Sequence, residues 1–252
     1  MMKKNIMLFA GIMAALSLQT QADSQVNIFY PGQKQPLAIN QLADLEQLVT
    51  DPSLAQKTWW PGTVIGEKRA TQDAVLQQQQ LLARLQTWRD RLRHEGDDSQ
   101  AAAVDNVRQQ IAALKVTGRQ FVNLDPDWVR VRPQANHRLQ GEYSVYTLAE
   151  PTSITLAGVM ERTGKTPWAA GRSAVEYLAA HPLMSGAERS IALLISPGGE
   201  TSEIPVAYWN RRHVEPQAGS TLFIGFSPWT LPRAYADLNS QIVSVLTHRI
   251  PD

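Results

Sequence analysis

Cysteine is absent from this chain of 252 residues. Its absence excludes disulfides, thiolate metal ligands, thiol nucleophiles and lipid attachment at a lipobox cysteine, so apolar cores alone must hold the fold. Net charge is scarce as well. The formal value is +1, and it falls to −1 once Lys3 and Lys4 are discounted. A near-neutral chain has no sequence-wide attraction for nucleic acid or an anionic bilayer, and no nucleic-acid partner is expected. The 5 histidines, His94, His137, His181, His213 and His248, show neither H-x-x-x-H nor H-E-x-x-H spacing, so no metal site is expected. No G-x-S-x-G elbow occurs, and Ser196 in Ser-Pro-Gly-Gly reads as turn chemistry. Gly164-Lys165-Thr166 lacks the earlier glycine of a phosphate loop, because Val159 stands in its place. Neither a catalytic residue nor a cofactor is expected.

Long apolar runs are missing too, except at the start. Lys3 and Lys4 precede the uncharged stretch Ile6 to Leu18, and Gln19-Thr20-Gln21-Ala22 ends it with small residues. This pattern predicts a secretory signal peptide over residues 1–22, cleaved after Ala22; an uncleaved anchor is the alternative. Beyond it no run of 18 or more apolar residues remains, so no transmembrane span is expected. A periplasmic protein follows from that reading. A hydrophobic content of 43% with 15 Gly and 15 Pro is ordinary globular composition, enough for one large or two small domains.

Val26 to Tyr30 reads as a strand closed by Pro31-Gly32, and Leu42, Leu45, Leu48 and Val49 as a short amphipathic helix. Trp59 to Ile65 returns to strand and turn chemistry. From Thr71 to Lys115 the chain is rich in Gln, Ala, Leu and Arg and has no proline. Leu81, Leu85, Trp88 and Leu92 make one helical stripe; Val104, Val107, Ile111 and Leu114 make another. Glu95 to Ser99 separates them with a glycine stop and an Asp or Ser cap, which predicts an antiparallel hairpin zipped by its stripes. Asp97 and Asp98 read as capping residues at its tip, not as an acid pair.

Strand character resumes at Gln120 to Leu124, and Trp128-Val129-Arg130-Val131-Arg132 alternates as a strand. Further strands are expected at Tyr143–Leu148, Ser153–Val159, Ile191–Ile195, Glu203–Tyr208 and Leu222–Phe226, with a helix over Ser173–Ala180. The tail carries Tyr235, Leu238, Ile242 and Leu246 at helical spacing. That stripe has three readings: docking on its own domain, binding a partner, or lying at a membrane surface.

The order Ile154-Thr-Leu-Ala-Gly-Val159, Gly164, Ser173–Ala180, Ile191–Ile195 and Gly219-Ser-Thr-Leu-Phe-Ile-Gly225 resembles the soluble-ligand-binding β-grasp repeat of outer-membrane polysaccharide exporters. With the leader, the inserted hairpin, Thr117-Gly118-Arg119 and the tail, nearly the whole chain is similar to the capsule biosynthesis GfcC family. The resemblance implies an α+β fold of two β-grasp domains. The first spans 23–66 and 117–136 and is interrupted by the hairpin at 67–116. The second spans 137–228, and a C-terminal amphipathic helix covers 229–252. It further implies a non-enzymatic periplasmic accessory role in capsule or exopolysaccharide assembly or export. The expected partner is polysaccharide or an outer-membrane polysaccharide exporter, and a monomer is expected in isolation. The missing cysteine and the polar tail argue for an accessory factor over a pore.

Arg119, where the chain leaves the second long helix, is the leading ligand candidate, since a guanidinium there can fork onto an acidic sugar. The structural alternative is a helix C-terminal cap. Trp59 and Trp60, beside Pro61-Gly62, are candidates for stacking on sugar rings. Tyr235, Leu238, Ile242 and Leu246 are the candidate partner-binding stripe. A carbohydrate-active enzyme is the competing class; Glu142, Glu150, Glu161 and Glu176 are available to it, but no spacing selects a pair.

Overall fold

The computed structural model describes residues 24–55 and 58–251. The expected leader and its cleavage site lie outside the described residues. Two five-stranded sheets dominate the molecule. In the first, β1 (Ser24–Phe29), β2 (Leu37–Asn40), β3 (Val64–Glu67), β4 (Gly118–Arg119) and β5 (Gly141–Tyr146) stand in the order β2-β1-β5-β3-β4. In the second, β6 (Ser153–Gly158), β7 (Gly164–Pro167), β8 (Ile191–Ile195), β9 (Thr201–Pro205) and β10 (Thr221–Ile224) stand as β7-β6-β10-β8-β9. The order is the same in both, with an opening hairpin whose first strand runs parallel to the unit's last strand. Each unit thus has the β-grasp arrangement, and the α+β expectation holds.

Alternation explains β1, where Val26 and Ile28 are buried on one face while Gln25 is exposed. All of β10 is buried, as a central strand covered on both faces requires. Helix α1 (Leu45–Val49) starts at Asp44, whose carboxylate accepts from Gln47 N at 3.0 Å. Helix α5 (Ala174–Ala179) starts with a reciprocal capping box between Ser173 and Glu176. The hairpin forms as the stripes predict: α2 (Lys68–His94) and α3 (Asp98–Ala113) meet through Leu81, Leu85, Trp88, Val104, Val107 and Ile111, all buried. Asp97 caps α3, accepting from Gln100 N at 3.0 Å.

The hairpin leaves the first sheet yet joins the core of the second. Its apolar stripe is continuous with Ile154, Leu156, Phe226, Tyr235 and Ile242, whereas the first unit keeps a separate core around Val26, Ile28, Leu45, Leu48 and Val145. Trp88 packs edge-on to Phe226 at 4.9 Å and stacks with Tyr235 at 5.2 Å. Gln110 on α3 reads the backbone of Gly158 on β6, donating to its carbonyl at 2.9 Å and accepting from its N–H at 2.8 Å. Gly158 has φ of 108°, and a Cβ there would lie 1.9 Å from Ile224 O, so only glycine fits.

Gln120–Leu124 forms no strand, the strand expected at Glu203–Tyr208 is Thr201–Pro205 with Tyr208 beyond its end, and three larger expectations need correction. The alternating Trp128–Arg132 is not a strand but part of α4 (Pro126–Val131), because Asp125 accepts from Asp127 N and Trp128 N and Pro126 opens the first turn. That capping signature outweighs a five-residue alternation with a single buried position, Val129. Second, residues 137–150 do not open the second domain. Strand β5 pairs in parallel with β1 from Ser24↔Gly141 to Phe29↔Tyr146 and completes the first sheet. Third, the tail is a 3-10 turn at Arg233–Tyr235 followed by α6 (Leu238–Thr247), and Tyr235, Leu238, Ile242 and Leu246 face inward as part of the second core. Turned toward α2, α3 and the second core, that stripe is buried and not available to a partner in this fold. Among the described residues, no helix is long and apolar enough to cross a membrane.

Candidate functional site

The two units meet in a cleft. From the first come Trp59, Gly62, Val64, Arg119 and Leu148; the second contributes Lys165, Ile195, Pro197, Gly219 and Thr221. The tail closes it with Leu246, Arg249 and Pro251. The final residues reach this place because the chain after α6 pairs with the strand leading to β4: Thr117 N donates to His248 O at 2.9 Å and Ile250 N to Lys115 O at 2.7 Å. The cleft volume is about 50 Å³. Measured as the space open to the centre of a water molecule, that admits a few waters or a carboxylate or phosphate group.

Arg119 is 9% exposed. Its Nη2 donates to Pro197 O at 2.7 Å, and its Nη1 to Thr247 O, the last carbonyl of α6, at 3.3 Å. Arg119 therefore lines a cleft and also caps a helix C-terminus, that of α6 and not of α3 as the structural alternative had it. Both acceptors are neutral carbonyls and use two of the five guanidinium donors. Burial, with a smaller push from Arg249, lowers the Arg119 pKa to about 10. The group remains charged at neutral pH, at a cost in solvation that an entering anion would offset.

The β8–β9 turn is shaped to admit this side chain. At Gly199, φ is +91°, and a Cβ would lie 2.8 Å from Phe121 Cε1 and 3.1 Å from Arg119 Cζ. Phe121 in turn meets the His248 ring edge-on at 5.4 Å and sits under the Arg119 guanidinium, 5.6 Å from ring centroid to Cζ. Arg119 is thus bracketed by Pro197, Phe121 and the end of α6.

Trp59 lines the cleft beside Arg119, its ring lying over Gly62, where a Cβ would be 2.5 Å from Cζ3. Trp60 does not join them; it is half-buried against the first core. Lys165 and Arg249, which the sequence reading did not select, add two more cations to the cleft. Local spacing had no signal for them, since they come from a hairpin and the chain end brought together only by the fold. No Asp or Glu lines the cleft among the described residues.

The four glutamates open to an enzymatic reading are dispersed. Glu142 on β5 pairs with Lys68 at 2.7 Å, Glu176 serves the α5 capping box, and Glu150 and Glu161 are exposed. Among the described residues, no group of three or more His, Cys, Asp or Glu could hold a metal ion.

Comparison with known proteins agrees with this architecture. Residues 22–150 match the family model "Capsule biosynthesis GfcC, N-terminal", and residues 162–251 match "Capsule biosynthesis GfcC C-terminal". The first match ends where β5 closes the first sheet, and the second spans most of the second sheet together with the tail. The chain is also 44% identical over 233 residues, 91% of its length and 92% of the relative's, to "Uncharacterized protein YjbG" of Escherichia coli (strain K12).

Proposed function

Because the chain belongs to the capsule biosynthesis GfcC family, we propose that it is a non-enzymatic periplasmic accessory protein of capsule or exopolysaccharide assembly or export, whose cleft receives an acidic group of the polymer. The observation that carries this reading is Arg119, a buried guanidinium bonded only to neutral carbonyls, in a cleft lined by Lys165 and Arg249 and by no carboxylate among the described residues. A carboxylate or phosphate entering there gains charge-assisted hydrogen bonds in a desolvated site. Glycoside chemistry needs two carboxylates facing one bond, which this cleft does not supply.

The test is complementation in the native host. A deletion strain loses surface polymer, the wild-type gene restores it, and Arg119→Met does not. Arg119→Lys keeps the charge but loses the fork and restores it in part. Circular dichroism melts of both variants show whether each still folds. Full restoration by Arg119→Met would overturn the cleft reading. Glycan turnover by the purified protein, abolished by changing two acidic residues, would overturn the non-enzymatic one. Capture of an exporter subunit by wild type but not Arg119→Met, without polymer binding, would move the ligand from glycan to protein.

A further inference from the structure

The end of the β8–β9 hairpin remote from the cleft carries a second set of side chains that the fold does not use. Ile195↔Thr201 flank the turn beside Arg119, and Ile191↔Pro205 mark the opposite end. There the chain leaves β9 through a tightly pinned turn. Arg211 N donates to Ala207 O at 2.8 Å, Arg212 N to Pro205 O at 3.2 Å, and Asn210 Nδ2 to Ser190 O at 3.2 Å. Ala207 is buried beneath it. A backbone held this way does not fold its side chains inward: Tyr208 is 87% and Trp209 75% exposed. Among the described residues neither the Tyr208 hydroxyl nor the Trp209 indole N–H finds a partner, whereas Trp168 donates to Pro216 O at 2.9 Å.

Charge accompanies the rings. The Arg211 guanidinium lies 5.7 Å from the centre of the Tyr208 ring, and Arg212 is exposed beside it. Neither arginine has an ion pair among the described residues. His213 is already engaged by Glu215 at 2.9 Å. The nearby Glu188 is turned to the backbone, accepting from Arg189 N and Ser190 N. Two exposed aromatic rings and two guanidiniums without an ion pair among the described residues therefore share one hydrogen-bonded turn.

We infer that the Tyr208–Arg212 turn is a second binding site, independent of the cleft, for an acidic polysaccharide. Aromatic faces left in water gain by covering the apolar faces of sugar rings, and guanidiniums fork onto uronate carboxylates along the same chain. From Tyr208 to His213 no aliphatic side chain is present to wedge into acyl chains, which favours glycan over a lipid surface. The choice of ligand rests on the capsule reading above; the site itself rests on the turn.

The probe is a size-fractionated oligogalacturonate, titrated into the protein carrying 15N-labelled tryptophan. The Trp209 indole signal is expected to shift. Trp209→Ala and the double variant Arg211→Ser/Arg212→Ser should each weaken binding about tenfold, while Trp229→Ala, at another exposed ring outside both sites, stays within about threefold of wild type. Neutral dextran should bind at least about tenfold more weakly than the uronate. An unmoved Trp209 signal, or wild-type affinity in Trp209→Ala, overturns the proposal. Equal weakening by Trp229→Ala would do the same while leaving the cleft reading intact. A Trp209 shift with phosphatidylglycerol vesicles but not with oligogalacturonate would overturn it in favour of a membrane.

Discussion

The two β-grasp units share a strand order and differ most at one equivalent connection. Between β8 and β9 the chain reverses in residues 196–200; between β3 and β4 it runs out through α2 and α3 over residues 68–117. Beyond its base, where α2 packs on β3, β4 and β5, the long version does not serve the unit that encodes it. Its apolar stripe belongs to the second core, and the first core is complete without it. The short version is no less consequential, because its tip meets Arg119 at the base of the long one. The insertion therefore clamps the two units together, and the cleft forms where the two equivalent connections touch.

The sharpest way to break that view is Trp88→Ala. Trp88 on α2 is fully buried against Phe226 and Tyr235, so its loss should cost about 3–5 kcal/mol. Although it lies in the first unit's insertion, amide exchange should accelerate in β6, β8 and β10 and remain slow in β1 and β5. Equal loss of protection in both sheets would mean the cores are not separate, and the clamp would reduce to one shared core.

How much of this was legible beforehand follows from how local each signal is. The hairpin could be read from two stripes and a capped turn, because every residue defining it lies within one stretch. Strands β6, β8 and β10 declare themselves by apolar runs and turns in the same way, whereas the polar β9 lies ahead of the Glu203–Tyr208 span that the pattern suggests. Strand β5 was assigned to the wrong unit because its partner, β1, lies more than a hundred residues earlier, and no local pattern records a parallel pairing. Helix α4 was missed because five alternating residues were weighed above Asp125-Pro126, a stronger signal for a helix start. Arg119 was found from its place after a helix, but its surroundings were not: Pro197, Thr247 and Arg249 come from three distant segments.

A smaller effect sharpens the clamp's electrostatics. Asp105 on α3 accepts from Arg89 on α2 at 2.9 Å and from Arg108 at 2.9 Å, and these contacts, Arg89 foremost, hold its pKa down to about 2 from an ordinary 3.8. A carboxyl with a depressed folded pKa contributes stability that is full above its unfolded value and disappears as pH falls through the folded one. Asp105→Asn should therefore cost about 1–2 kcal/mol at neutral pH, solvent screening included, and the gap should close between about pH 4 and pH 2. Urea titrations of both proteins across that range measure it. A gap independent of pH would assign the loss to packing and leave the hairpin's ion pairs without a part in the clamp.

The smallest effect tests the short connection with a control supplied by the first unit. Gly199 in the β8–β9 turn and Gly32 in the β1–β2 turn both have positive φ, +91° and +76°. A Cβ on Gly32 meets nothing within 4 Å, whereas one on Gly199 lies against Phe121 and Arg119. Substituting alanine at either place imposes the same backbone strain, about 1 kcal/mol. Only Gly199→Ala should also push the guanidinium away from Pro197 O, altering the 15N signals of the Arg119 side chain and leaving those of other arginines in place. If Gly32→Ala and Gly199→Ala cost the same and neither disturbs Arg119, the turn does not position the guanidinium. The cleft would then owe its cation to α6 and the chain end, and the likeness between the two connections would be topological without being functional.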